Sequence, residues 1–175
     1  TGAGWIAPAK LPAIASEVLR QCDGLDGLSD GVIGHYQACK AKFDPLRVAQ
    51  PYRAIRCADG ADGGASCVSD EQIATLNQMH APTDFGFPLA HGLSRFPGYG
   101  TGREGLPGFL NIQPQPTPGT APALGQPGAT VAFGILKDPG AALARFAIAP
   151  HRDKLQAASA LIDSTNPDLS RFFAR

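Results

Sequence analysis

Residues 22 to 33, CDGLDGLSDGVI, carry the densest chemistry of the chain. Asp23, Asp26 and Asp30 lie within eight positions, Gly24, Gly27 and Gly31 each follow one of them, and no Lys or Arg intervenes. Carboxylates crowded in this way repel one another unless something positive sits between them. Three glycines make a regular helix costly, by about 1 kcal/mol each relative to alanine. Asp-Gly pairs favour tight turns instead, because glycine takes positive φ without steric cost. A chain coiled so tightly points several oxygens at one centre, where a hard divalent cation removes the repulsion. Calcium takes roughly 6–8 oxygens in flexible geometry and suits a wrapped loop better than magnesium, which demands a strict octahedron and keeps its waters. The spacing is not that of an EF-hand, which needs a Glu at its twelfth position. A solvated acidic turn is the competing reading, and the residue types alone leave both open.

The elements that must position this stretch are legible around it. LPAIASEVLRQ, residues 11–21, places Leu11, Ile14, Val18 and Leu19 at helical spacing, with Pro12 tolerated in the first turn. All four cysteines, Cys22, Cys39, Cys57 and Cys67, fall in the first 67 residues. Without Cys-x-x-Cys spacing or an adjacent His pair they do not suggest zinc. Pairing by neighbours, Cys22–Cys39 and Cys57–Cys67, is the simplest of the possible connectivities. Each bridge would close a short loop and contribute on the order of 3 kcal/mol. Disulfides imply an oxidising compartment, hence a secreted or periplasmic protein.

Further along, Asp44-Pro45 initiates a turn that leads into an irregular or strand-like run. VSDEQIATLNQMH opens with Ser69 and has Gln72 three residues on, a capping box before the stripe Ile73, Leu76, Met79. From Ala81 to about Gly128 the periodicity collapses in Gly- and Pro-rich sequence. The choice there is one long insertion loop or a hairpin with a flexible connector, and a loop of that length is usually functional or mobile. QPQPTPGTAP within it favours extended, polyproline-like backbone. ATVAFGILKD reads as a strand or a short buried helix. RDKLQAASALIDS sets Leu155, Ala158, Leu161 and Ile162 on one helical face, which Asn166-Pro167 ends.

The chain has 175 residues, about one domain, with a formal net charge of zero. No basic stripe points to nucleic acid, and no apolar run approaches the roughly 18 residues that span a bilayer. Charged residues make up 17%, below the roughly 25% of ordinary globular domains. With 21 Gly and 16 Pro, the expected class is a loop-rich α+β fold, helices dominating over a few short strands. The N-terminus, TGAGWIAPAK, has no signal-peptide pattern and reads as the start of a segment cut from something larger.

CDGLDGLSDGVIGHYQAC, KFDPLRV, the second cysteine pair and CVSDEQIATLNQMH together resemble the tannase and feruloyl esterase family, which also holds bacterial hydrolases of mono-(2-hydroxyethyl) terephthalate. That family carries a Cys-Asp-x-x-Asp-Gly-x-x-Asp-Gly segment, then Phe-Asp-Pro, then a cysteine-led helix. IDSTNPDLSRFFAR is similar to the family's segment just before the strand that bears its catalytic Asp. The resemblance covers residues 5–80 and 145–175. It implies that residues 1–175 are a lid, with a variable loop at about 81–128, inserted into an α/β-hydrolase domain that lies outside this chain and is its partner. It implies a structural Ca²⁺ held by the carboxylates of Asp23, Asp26 and Asp30 and the carbonyls of Leu28 and Val32. Both neighbour disulfides match the family as well.

The family's substrates are aromatic or phenolic esters. Tyr99, Phe109 and Phe133 are candidates to stack on a substrate ring, and Arg103 to pair with a substrate carboxylate. GLSRF, residues 92–96, is not a Gly-x-Ser-x-Gly elbow. The four histidines, His35, His80, His91 and His151, sit in no matching motif. The chain alone is therefore expected to lack the Ser-His-Asp triad and to be inactive. GYGTG, residues 98–102, lacks the strand–loop–helix context and the lysine of a phosphate loop. Two other readings compete: a free-standing calcium-binding interaction module, and a hydrolase that uses the Asp cluster directly, for which the sequence offers no base.

Overall fold

The computed structural model describes residues 2–101 and 147–165, with side chains placed as far as residue 160. They group into two compact units, residues 2–82 with 97–101, and residues 83–96 with 147–165.

Three helices organise the first unit: α1 (Leu11–Cys22), α2 (Tyr36–Phe43) and α3 (Asp70–His80). α1 buries Ile14, Val18 and Cys22, spaced four apart so that they form one stripe. That stripe joins Cys39 and Phe43 from α2, Leu76 from α3, and Ile6, Tyr52 and Val68 in a single core. Phe43 and Tyr52 meet as a tilted pair with ring centroids 5.1 Å apart, a favoured aromatic geometry. α3 starts as its sequence predicts. The Ser69 hydroxyl accepts from the Gln72 N–H at 3.2 Å, and the Gln72 side chain accepts from the Ser69 N–H at 2.9 Å. The Gln72 amide then donates to the Trp5 carbonyl at 2.9 Å, and the Thr75 hydroxyl to the Gly4 carbonyl at 2.9 Å, so α3 holds the N-terminal segment.

Both predicted disulfides are formed. Cys22–Cys39 joins α1 to α2, and Cys57–Cys67 closes the loop before α3. Lys10, only 3% exposed, secures that second loop from outside. Its Nζ donates to the carbonyls of Gly64 and Cys67 and lies 2.9 Å from an Asp62 oxygen. A buried ammonium needs such partners to offset its desolvation. The run before Cys57, read as irregular or strand-like, is irregular: a 3-10 turn, Arg53–Ile55, followed by an isolated parallel bridge between Arg56 and Val68.

The second unit holds the antiparallel pair β1 (Thr83–Asp84) and β2 (Arg95–Phe96), in register Thr83 to Phe96 and Asp84 to Arg95. α4 (Arg152–Thr165) lies beside the turn Ala90–Gly92. The Ser159 hydroxyl accepts from the Ala90 N–H at 3.0 Å, the Gln156 amide donates to the Pro88 carbonyl at 2.8 Å, and the Arg152 guanidinium stands 5.7 Å from the centroid of the buried Phe87 ring. Helices outnumber short strands among the described residues, as the α+β class required.

Three carboxylates in the first unit bind their protons less tightly than they would free in water. Hydrogen bonds from Arg20, ahead of one from Gln21, lower Glu17 below its ordinary 4.5 against the opposing effect of burial. Hydrogen bonds from Lys10, then from the Gly64 N–H, lower Asp62 below 3.8, and those from Arg56 lower Asp70 below 3.8. A group whose pKa is depressed by folding binds fewer protons folded than unfolded. Its stabilisation is present above the unfolded pKa and disappears as pH falls through the folded one. The melting temperature should therefore drop as the pH is taken below 4.5. Glu17→Gln should flatten that acid limb, which a pH series of thermal melts would show.

Candidate metal site

The aspartate loop begins where α1 ends. The chain leaves Cys22 through a 3-10 turn, Asp23–Asp26, closed by Gly27 at φ +92°. Gly31 also takes a left-handed φ of +79°. A side chain at either position would strain the backbone, which is the role the Asp-Gly repeat implied. The Cys22–Cys39 bridge fastens the loop where it leaves α1 and within α2.

Each aspartate is spent partly on its own loop. Asp23 Oδ1 accepts from the Gly31 N–H at 2.9 Å, and Asp30 Oδ1 from the Val32 N–H at 3.0 Å. Asp26 accepts twice, from the Leu28 N–H at Oδ1 and the Gly34 N–H at Oδ2, both at 3.0 Å. The carboxylates of Asp23 and Asp26 thus each reach across eight residues and hold the coil shut. Leu28 and Val32 stand out from it, 61% and 60% exposed.

No three His, Cys, Asp or Glu side chains among the described residues surround one point closely enough to hold an ion as they stand. The donor chemistry nevertheless fits a hard cation. Among the described residues, Asp23 Oδ2, Asp30 Oδ2 and the carbonyls of Leu28 and Val32 accept no hydrogen bond. No described cation forms an ion pair with any of the three aspartates. Every available donor is oxygen, the set that calcium prefers and soft metals do not.

Gly34 shows how little room the coil has. A Cβ at that position would lie 2.0 Å from Asp26 Oδ2, far inside van der Waals contact. Gly34→Ala should displace the Asp26 carboxylate and weaken the hold of the loop on any hard cation about tenfold, the cost of losing one charge-assisted contact. A calcium titration of this variant beside its parent measures it.

The expected absence of a nucleophile elbow needs one correction. GLSDG, residues 27–31, does read Gly-x-Ser-x-Gly. An elbow requires a strand before the serine and a helix after it. Ser29 instead sits exposed in the coil, between two left-handed glycines, and has no hydrogen-bond partner among the described residues. The serine is a loop residue. Of the histidines, His80 is buried, with Nε2 3.1 Å from the Tyr52 hydroxyl and Nδ1 2.9 Å from the Tyr99 carbonyl. His35 caps α2 by accepting from the Ala38 N–H at 3.4 Å.

Of the substrate-contact candidates, Arg103, Phe109 and Phe133 lie outside the described residues. Tyr99 lies inside them and borders a largely apolar cleft of about 450 Å³ with Met79, Ala74 and Gly4. No helix among the described residues is long and apolar enough to cross a membrane.

Residues 1–130 match the family model for tannase and feruloyl esterase. An uncharacterized esterase of Agrobacterium fabrum is 35% identical over 115 residues, 65% of this chain and 20% of that protein. The mono(2-hydroxyethyl) terephthalate hydrolase of Piscinibacter sakaiensis is 36% identical over 75 residues, 42% of this chain and 12% of that protein. A probable feruloyl esterase B-1 of Aspergillus terreus is 30% identical over 114 residues, 65% of this chain and 20% of that protein. The chain thus spans a fifth or less of these relatives. The crystal structure of feruloyl esterase B from Aspergillus oryzae superposes with a TM-score of 0.64 over 99% of this chain and 31% of that one, at 19% identity.

Proposed function

The chain belongs to the tannase and feruloyl esterase family, and from that premise we propose that it forms the lid of a secreted serine esterase for aromatic or phenolic esters. In this reading it shapes the acyl pocket over an α/β-hydrolase domain and does not break the bond itself. A lid excludes water and selects substrate while the nucleophile acts elsewhere. The observation that carries the reading is coverage. Nearly the whole chain aligns with less than a third of a feruloyl esterase of the same fold, which leaves most of such an enzyme to a separate catalytic part. The misplaced serine of GLSDG supports it, and the two disulfides support export.

The same reading gives the aspartate loop a structural Ca²⁺. The carboxylates of Asp23, Asp26 and Asp30 and the carbonyls of Leu28 and Val32 would hold it. The ion would supply positive charge to the crowded carboxylates and fix the coil at the end of α1. The cleft beside Tyr99 offers an apolar wall of the kind an aromatic acyl group requires.

Methyl ferulate hydrolysis tests the assignment. The full-length enzyme should release ferulate and lose that activity to a serine-directed inhibitor, while residues 1–175 alone should release none. Inhibitor-sensitive turnover by residues 1–175 alone would overturn the non-catalytic role. A full-length protein inert toward every aromatic ester tried would overturn the substrate class.

A further inference from the structure

We propose that the cleft between α1, α2 and residues 48–54 is a binding site for a small organic carboxylate with an apolar body. The cavity measures about 630 Å³, inside the roughly 300–1,000 Å³ range of small-molecule sites. Three cations from three separate segments line it: Arg20 from α1, Lys42 from α2 and Arg53 from the turn after Tyr52. Glu17 is the one acidic residue in the lining, and its charge is already committed. It accepts from Arg20 Nε and Nη2 at 2.7 Å each, and its Oε1 also accepts from the Gln21 amide at 2.7 Å. The same Gln21 amide donates to the Pro51 carbonyl at 2.9 Å, which ties α1 to the opposite wall.

This arrangement fixes the Arg20 guanidinium in place and leaves its Nη1 without a partner among the described residues. The side chains of Lys42 and Arg53 form no ion pair or hydrogen bond with any described residue. The lining therefore holds two positive charges that no described residue pairs with, at the edge of an open cleft. A planar carboxylate matches the guanidinium and ammonium donors that line the cleft. Val48, Pro51 and Ala54 complete the wall. Their apolar surface favours an organic acid with a hydrocarbon or aromatic body over a bare phosphate or sulfate. The site is independent of the calcium loop and of the esterase reading.

The test titrates 4-hydroxybenzoate into full-length protein at low salt and follows the methyl resonances of Val48 and Ala54. Neutral 4-hydroxybenzamide is the matched control. The acid should shift both methyls saturably, the amide should not, and added salt should weaken the acid's binding. In the double variant Lys42→Gln/Arg53→Gln the acid should bind about tenfold more weakly or worse, because charge-assisted hydrogen bonds are lost. Both side chains project from the surface, so the variant should melt with its parent, and a melt confirms that any loss is one of binding. Unmoved methyls at millimolar acid, an equal response to the amide, or undiminished binding in the double variant would each overturn the proposal.

Discussion

Chelating calcium should lower the melting temperature of the protein by roughly 10 °C. An ion present at a thousand times its dissociation constant stabilises the state that binds it by about 4 kcal/mol. For a chain of this size each kcal/mol corresponds to roughly 2–4 °C. Asp26→Ala should reproduce most of that loss, since Asp26 is both a proposed ligand and the residue that ties Leu28 and Gly34 into the coil. Chelator added to the variant should then lower its melting temperature little further. This non-additivity separates a metal effect from the loss of two exposed hydrogen bonds, which together contribute about 1–3 kcal/mol. Calorimetric melts of parent and variant, each with calcium and with excess chelator, provide the comparison. A parent that melts at one temperature in both buffers would argue against a structural ion.

Removing the first disulfide should have an effect of similar size. Cys22 and Cys39 are both 0% exposed and stand inside the core beside Val18 and Phe43. The bridge spans 17 residues, a loop for which closure entropy predicts about 3 kcal/mol. The double variant Cys22→Ala/Cys39→Ala also loses packing around two buried sulfurs, so a fall of roughly 10 °C is expected. Because this bridge fastens the aspartate loop, calcium affinity should fall in the same variant. The second bridge spans only 10 residues, and Lys10 holds its loop independently, so the pair Cys57→Ala/Cys67→Ala should cost less. Thermal melts and calcium titrations of both double variants decide the order, and a second bridge that matters more than the first would contradict it.

Much of the first unit was legible because its signals are local. The stripe of Ile14 and Val18 and the capping box at Ser69 each need only a few neighbouring residues to be recognised, and both elements formed where read. The cysteine pairs were readable because chain neighbours can close short loops without help from distant contacts. α2 was not read at all. It sends only Cys39 and Phe43 into the core, too few apolar positions to set a period, and the disulfide rather than the pattern holds it there. Tyr52 and the Arg56–Val68 bridge were equally hidden, since both depend on partners brought from elsewhere in the chain. After Ala81 the collapse of periodicity was genuine in part, for β1 and β2 are only two residues each.

The aspartate loop divides in the same way. Its turns followed from the glycines, and Gly27 and Gly31 took the left-handed backbone that the pairs required. The bonds from Asp23 to Gly31 and from Asp26 to Gly34 were not foreseeable, because they depend on how far the coil closes on itself. The proposed carboxylate cleft was invisible for the same reason: Arg20, Lys42 and Arg53 are far apart in the chain and line one cleft only once α1, α2 and the turn at Arg53 are packed.

Equilibrium dialysis against radioactive calcium, on the parent and on the triple variant Asp23→Ala/Asp26→Ala/Asp30→Ala, addresses the aspartate loop most directly. The parent should retain one more tightly held ion per chain than the triple variant. Equal calcium content in the two proteins would mean that these carboxylates serve only to coil their own loop.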